Sequence, residues 1–245
     1  MNGYTSFNIL LVGESGTGKE AIAKLYLKSL GEYLVPINCA GKSWQNIYDD
    51  LFSAEKEERP LILKTKALLL DEIEKSQLDA QGGLLRLLDK PQGEIRLSRE
   101  LTAIRWDGLV VATATESIYK KMKDDTFIKD LFWRFDIRVE ISPLRNMRSK
   151  PDKFKELFVA ALNIALVKFE VKSTPKLSEF QVESILSHKW YGNLRELLEM
   201  ADNLACELAL FEKRTTGSNY DSFPEVCFDR VFNRFSKFES LLEKG

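Results

Sequence analysis

The chain has 245 residues, 44% hydrophobic and 30% charged, the balance of a soluble globular protein with one large core or two smaller ones. Lys and Arg total 36 against 37 for Asp and Glu, so a net charge of −1 gives no electrostatic argument for a nucleic-acid or membrane surface. Cys39, Cys206 and Cys227 are an odd, widely spaced set without a CxxC pair, which argues against a disulfide framework or a zinc site and fits a reducing cytoplasm.

The N-terminal stretch lacks a basic region followed by a long apolar run, so neither a signal peptide nor a membrane span is expected. FNILLV reads as a short apolar strand ending in a glycine loop. KEAIAKLYLKSL follows as a helix stopped by Gly31, with Ile22, Leu25, Leu30 and the stem of Lys24 expected on its packed face. LVPIN is a second strand, SWQNIYDDLFSA a helix, and ALLLDE (67–72) a buried strand. DAQGGLLRLLDK (79–90) reads as a helix weakened by Gly82 and Gly83, and GEIRLSRELTAIRW as a hairpin of two short strands. GLVVATAT (108–115) and IRVEI (137–141) are the last strands.

After SPLRN the pattern becomes helical. Phe154, Leu157, Phe158, Ala161, Leu162, Ala165 and Phe169 share one helical face, and Ser178 with Gln181 forms a capping box before a second helix. Leu194, Leu197, Leu198, Ala201, Leu204 and Leu208 mark a third. A polar stretch then leads to a terminal helix with a coiled-coil-like stripe of Phe228, Val231, Phe235, Phe238 and Leu242, expected to pack on the helices before it, with a partner helix as the alternative. The expected organisation is an α/β domain over 1–145, a helical domain over 146–213, and a linker with an amphipathic helix over 214–245. Strands alternating with helices behind a glycine-rich turn imply a mostly parallel sheet sandwiched by helices.

The chemistry begins in VGESGTGKEA. Gly13, Gly16 and Gly18 let the backbone wrap a phosphate with its N–H groups, joined by Glu14, Ser15 and Thr17. Lys19 is placed to neutralise the outer phosphates, and the next helix presents its positive end to them. An apolar strand before the loop and an amphipathic helix after it are the context such a motif requires. LLLDE supplies a partner: Asp71 at a strand end can hold Mg²⁺ through water, and Glu72 can polarise the attacking water. The lone His188, beside Trp190, has no second histidine to pair with, so neither catalysis nor metal binding is expected of it.

GESGTGKE, INCA, LLLDEI, LLRLLD with GEIR, FIKDLFWRF, SPLR and YGNLREL stand in the order and spacing of a known family. Over about residues 8–211 the chain resembles the AAA+ ATPase domain of bacterial sigma-54-dependent transcription activators. The resemblance implies a P-loop AAA+ sheet with a smaller helical lid, ATP and Mg²⁺ as ligands, and a ring oligomer, a hexamer among the sizes it allows. Glu20 is what this family places after the lysine. Asn38 matches a residue that engages the catalytic glutamate according to nucleotide state. Arg134 matches an arginine finger acting in trans on the neighbour's γ-phosphate, and Arg195 the sensor arginine of the lid.

The chain departs from the family in four places. LFSAEKEERPLILKTKALLLDE is too short and too charged to hold the GAFTGA loop that grips sigma-54, so direct sigma-54 remodelling is not expected and the client is unknown. Thr115 stands where the sensor strand usually ends in asparagine, though its hydroxyl can still orient a water or phosphate. Ile128 replaces a frequent second arginine, and only seven residues precede Asn8, where the family carries elements that enclose adenine. No DNA-reading helix pair is expected at the end. Two functions stay open: a ring ATPase linked to transcription regulation, or an ATP-dependent switch or assembly module with little hydrolysis.

Overall fold

The computed structural model describes residues 7–31, 34–52, 60–89, 94–96, 103–106, 108–215 and 220–242. They fall into two units, Met1–Glu14 with Gly18–Ile141, and Ser15–Thr17 with Ser142–Gly245. The strands are β1 (Asn8–Gly13), β2 (Leu34–Asn38), β3 (Ala67–Asp71), the antiparallel pair β4 (Glu94–Arg96) and β5 (Ala103–Arg105), β6 (Leu109–Ala114) and β7 (Ile137–Ile141). Five of them form one parallel sheet in the order β2-β3-β6-β1-β7. Parallel neighbours need crossovers, which here are the helices α1 (Lys19–Ser29), α2 (Trp44–Phe52), α3 (Leu61–Lys64), α4 (Leu78–Leu87), α5 (Ser117–Lys123) and α6 (Lys129–Trp133). The segment 53–59, part of the stretch read as too short for GAFTGA, and the connection between β4 and β5 lie outside the described residues.

Alternation along the central strands builds two cores. Leu10, Val12, Leu68, Leu70, Val110 and Ala112 meet Ile47, Leu51 and Phe52 of α2 and Ala80, Leu84 and Leu87 of α4. Ile9, Leu11, Leu69 and Val111 on the opposite face are covered by α1 through Ala23 and Leu27. This corrects the expected face of α1: Ile22 is 44% exposed and Leu25 69%, while Ala23 is 1% and Leu27 0%. The i, i+4 pair of one small and one long side chain lets the helix sit close to the sheet, a choice that helical periodicity alone does not make.

The two glycines of α4 have different roles. A methyl group at Gly83 would lie 2.0 Å from the Trp44 ring, whereas one at Gly82 would meet nothing within 4 Å. Gly82→Ala is therefore expected to raise the melting temperature, by the equivalent of about 0.5–1 kcal/mol of helix propensity. Gly83→Ala is expected to lower it despite the same gain, because displacing a packed indole costs roughly 1–3 kcal/mol. Thermal melts of the two single variants check this pair.

The second unit is helical: α7 (Pro151–Lys168), α8 (Glu179–Ser187), α9 (Asn193–Arg214) and α10 (Glu225–Leu242). Phe154, Phe158, Trp190, Leu197, Met200, Leu204, Phe228 and Val231 form its core. The capping box is present, with the Gln181 N–H donating to Ser178 Oγ at 3.3 Å and the Ser178 N–H donating to Gln181 Oε1 at 3.0 Å. The α10 stripe divides: Phe228 and Val231 are buried against α9, but Phe238 is 61% exposed and Leu242 49%. Leu198 of α9 is 52% exposed.

His188 is buried between two carboxylates. Its Nε2 is 2.7 Å from Glu196 Oε1, and its Nδ1 is 2.9 Å from Glu239 Oε2 on α10, off the line of a good hydrogen bond. Burial works against the Glu196 charge, but the bonds from His188 and from the Gly192 N–H outweigh it and hold this carboxyl below its ordinary value. Its contribution to stability is therefore present above the usual carboxylate range and lost as pH falls through the depressed value. His188→Ala removes a partner from both carboxylates and is expected to cost roughly 2–4 kcal/mol near neutral pH, less than a fully enclosed pair because each keeps a backbone N–H donor and stays partly wetted. Melts from neutral to acidic pH should show the gap from the parent narrowing; a gap that does not narrow would assign the loss to packing on Trp190.

Candidate nucleotide site

The glycine loop joins β1 to α1. Gly16 and Gly18 have φ of +78° and +88°, a region where a side chain is strained, so the turn needs glycine at both positions. Lys19, at the first turn of α1, folds back and donates from Nζ to Gly13 O at 2.7 Å and to Glu14 O at 2.8 Å. Burial lowers the Lys19 pKa, opposed by the carboxylates of Glu74, Asp71 and Glu72. An ammonium drawn partly out of water among three acids and beside left-handed glycines is matched to a polyanion carrying a metal. Glu20 faces solvent and pairs with Lys24 at 2.6 Å.

Asp71 ends β3 directly beside Asn38, which ends β2. The Thr113 hydroxyl of β6 donates to Asp71 Oδ1 and accepts from the Glu72 N–H at 3.1 Å. One side chain thus binds the Asp71 carboxylate and the Glu72 backbone, and it was not singled out in the sequence; its only signal was a hydroxyl in an otherwise apolar strand. Glu72 has φ 56° and ψ 46°, a left-handed conformation rare for a residue with a Cβ, which turns its side chain away from the strand line. That carboxylate pairs with Lys75. Asn38 Oδ1 accepts the Ala40 N–H at 2.8 Å, capping its own turn. Burial pushes the thiol of the adjacent Cys39 up to about 12.

Thr115, just past β6, gives both its N–H and its hydroxyl to Glu74 Oε1, at 3.0 and 2.8 Å, and its hydroxyl also lies 2.6 Å from Ser117 Oγ. Glu74 is fully buried, and it too was missed in the sequence, where it reads as one more charge in DEIEK. Among the described residues no cluster of three or more His, Cys, Asp or Glu is placed to hold a metal. Mg²⁺ held by one carboxylate, waters and substrate phosphates requires no such cluster, so Asp71 fits that mode.

Arg134 follows α6. The Phe132 and Trp133 rings just before it in sequence carry Arg138, whose Cζ is 5.4 and 4.8 Å from their centroids, while Arg134 Nη1 is 3.0 Å from Asp89 Oδ1. Ile128 donates its N–H to the buried Gln81 at 2.8 Å. In the second unit, which includes the loop tip Ser15–Thr17, Arg195 Nη1 donates to Ser15 Oγ at 3.2 Å and Asn193 Nδ2 to Ser15 O at 3.0 Å.

A family model described as the sigma-54 interaction domain matches residues 3–141, more than half of the chain. The chain belongs to the sigma-54 interaction domain family. The DNA-binding transcriptional regulator NtrC of Bradyrhizobium sp. (strain RP501 Parasponia) is 30% identical over 216 residues, covering 82% of this chain and 43% of NtrC. The probable regulatory protein HrpS of Pseudomonas savastanoi pv. phaseolicola is 31% identical over 203 residues, covering 78% of this chain and 65% of HrpS. The chain therefore spans under half the length of the NtrC relative. Crystalline NtrX from Brucella abortus, described in complex with ADP, shares the fold of this sigma-54 interaction domain with a TM-score of 0.71 at 20% identity, over 92% of this chain and 51% of NtrX. No helix among the described residues is long and apolar enough to cross a membrane.

Proposed function

We propose that this chain is an ATP-hydrolysing subunit of a ring oligomer, acting in the cytoplasm in transcription regulation. The observation that carries the reading is the Thr113 crosslink. It fixes the Asp71 carboxylate and the Glu72 backbone at the carboxyl end of β3, two strands from the glycine loop and Lys19, where open parallel sheets place their ligands. Mg²⁺ when bound supplies charge neutralisation on the phosphates. The loop from Gly13 to Gly18 wraps the phosphates with backbone N–H groups, Lys19 offsets their charge, and Asp71 is the metal-side carboxylate. Glu72 accepts the proton of the attacking water, and Arg134 enters the neighbouring subunit's site. Residues 1–145 are the nucleotide-binding part, 146–213 the lid bearing Arg195, and 214–245 an appended segment. The charged segment before β3 supports a client other than sigma-54.

A second reading, an ATP-dependent switch with little turnover, is favoured by three contacts: Lys75 holds Glu72, and Glu74 and Ser117 engage the Thr115 hydroxyl. Turnover measured against protein concentration separates the two. A ring ATPase gives specific activity that rises cooperatively with concentration. Tight ATP binding without turnover at any concentration sinks the ring reading and leaves the switch. Co-purification with sigma-54 in a transition-state analogue would sink the assignment of a different client.

A further inference from the structure

The ion pair between Arg134 and Asp89 is built on a shared anchor. Asn8, 2% exposed at the start of β1, donates its two amide hydrogens to Leu88 O at 3.2 Å and Arg134 O at 2.9 Å, and its backbone N–H to Asp136 Oδ2 at 2.8 Å. One buried carboxamide thereby fixes the chain next to Asp89 and the chain at Arg134. The charged ends of the pair stay in reach of solvent, with 42% of the Arg134 side chain and 45% of the Asp89 side chain exposed. The rings of Phe132 and Trp133 lie against Arg138.

We propose that Asp89 is a positioning residue for Arg134, holding the guanidinium through Nη1 so that its remaining donors face outward toward a phosphate of an adjacent subunit. This rests on the ring reading above. A guanidinium has five N–H donors in a fixed fork, so engaging one edge leaves another for a phosphate and removes rotamer freedom that the long side chain would lose on assembly. An exposed ion pair adds little to fold stability, so its removal leaves the protein folded and reads out through Arg134.

The test uses the full chain, with steady-state ATP turnover measured at saturating protein concentration for Asp89→Asn, Asp89→Glu, Arg134→Ala and the Asp89→Asn/Arg134→Ala double variant. Asp89→Asn is expected to lower kcat by about fivefold, the upper range of an exposed pair, with KM for ATP and the melting temperature unchanged. Asp89→Glu should recover most of the loss, and Asp89→Asn should add nothing once Arg134 is gone. If Arg134→Ala is inactive while Asp89→Asn matches the parent, the positioning role is overturned and the ring reading stands. An equal loss from Asp89→Asn in the Arg134→Ala background would make Asp89 merely structural and also overturn the proposal. Arg134→Ala turning over like the parent, or a parent without turnover at any concentration, overturns the ring reading and the proposal together.

Discussion

Glu72→Gln is expected to lower ATP turnover by about two to four orders of magnitude, the range for loss of a general base, while ATP binding persists. The amide keeps the size of the side chain and an acceptor for Lys75 but cannot take a proton from water. The backbone features that aim residue 72, its left-handed conformation and the bond from its N–H to Thr113, do not depend on the carboxylate. Lys19 and the glycine loop are untouched, so the Kd for ATP measured by calorimetry should match that of the parent. Phosphate release at the parental rate would mean that another group activates the water, with the buried Glu74 the first to examine.

Arg134→Ala is expected to reduce turnover by about three orders of magnitude, the lower range for an arginine finger, and to abolish its dependence on protein concentration. The sharper test mixes two inactive proteins. A subunit lacking Arg134 keeps Glu72, and one lacking the Glu72 carboxylate keeps Arg134, so mixed rings contain interfaces with both groups intact. Mixing Arg134→Ala with Glu72→Gln should restore part of the activity. A mixture as inactive as its parts would place Arg134 in the site of its own chain, or outside any site, and remove the trans role. The ion pair with Asp89 engages Arg134 through Nη1, and the other donors of the guanidinium fork can serve such a role while the pair is held.

Much of this protein was written in short-range patterns. A glycine loop between an apolar strand and a helix, apolar strands of five or six residues, and a capping box at Ser178 each depend on a few consecutive side chains. These gave the parallel α/β sheet, the helical region after it, and the positions of Lys19, Asp71 and Glu72. They could not give which faces are covered. The segment offered Ile22, Leu25 and Leu30 at helical spacing, but the sheet covers Ala23 and Leu27, because the rotation of α1 about its axis is set by the surface it packs on.

The rest was decided by contacts between residues far apart in the chain. Thr113 reaches Asp71 across 42 positions because β3 and β6 are neighbours in a sheet order that crossovers create. Glu74 holds Thr115 through the same adjacency, and Asn8 binds Arg134 over 126 positions. His188, which looked like an isolated ring, became the joint between Glu196 and Glu239 only when α10 folded back. The sequence by itself determined the fold class and the residues able to meet a phosphate, since those follow from local backbone freedom and periodicity. Only the tertiary structure decided which partner holds each charged group, since burial and pairing depend on which strands and helices come to lie side by side.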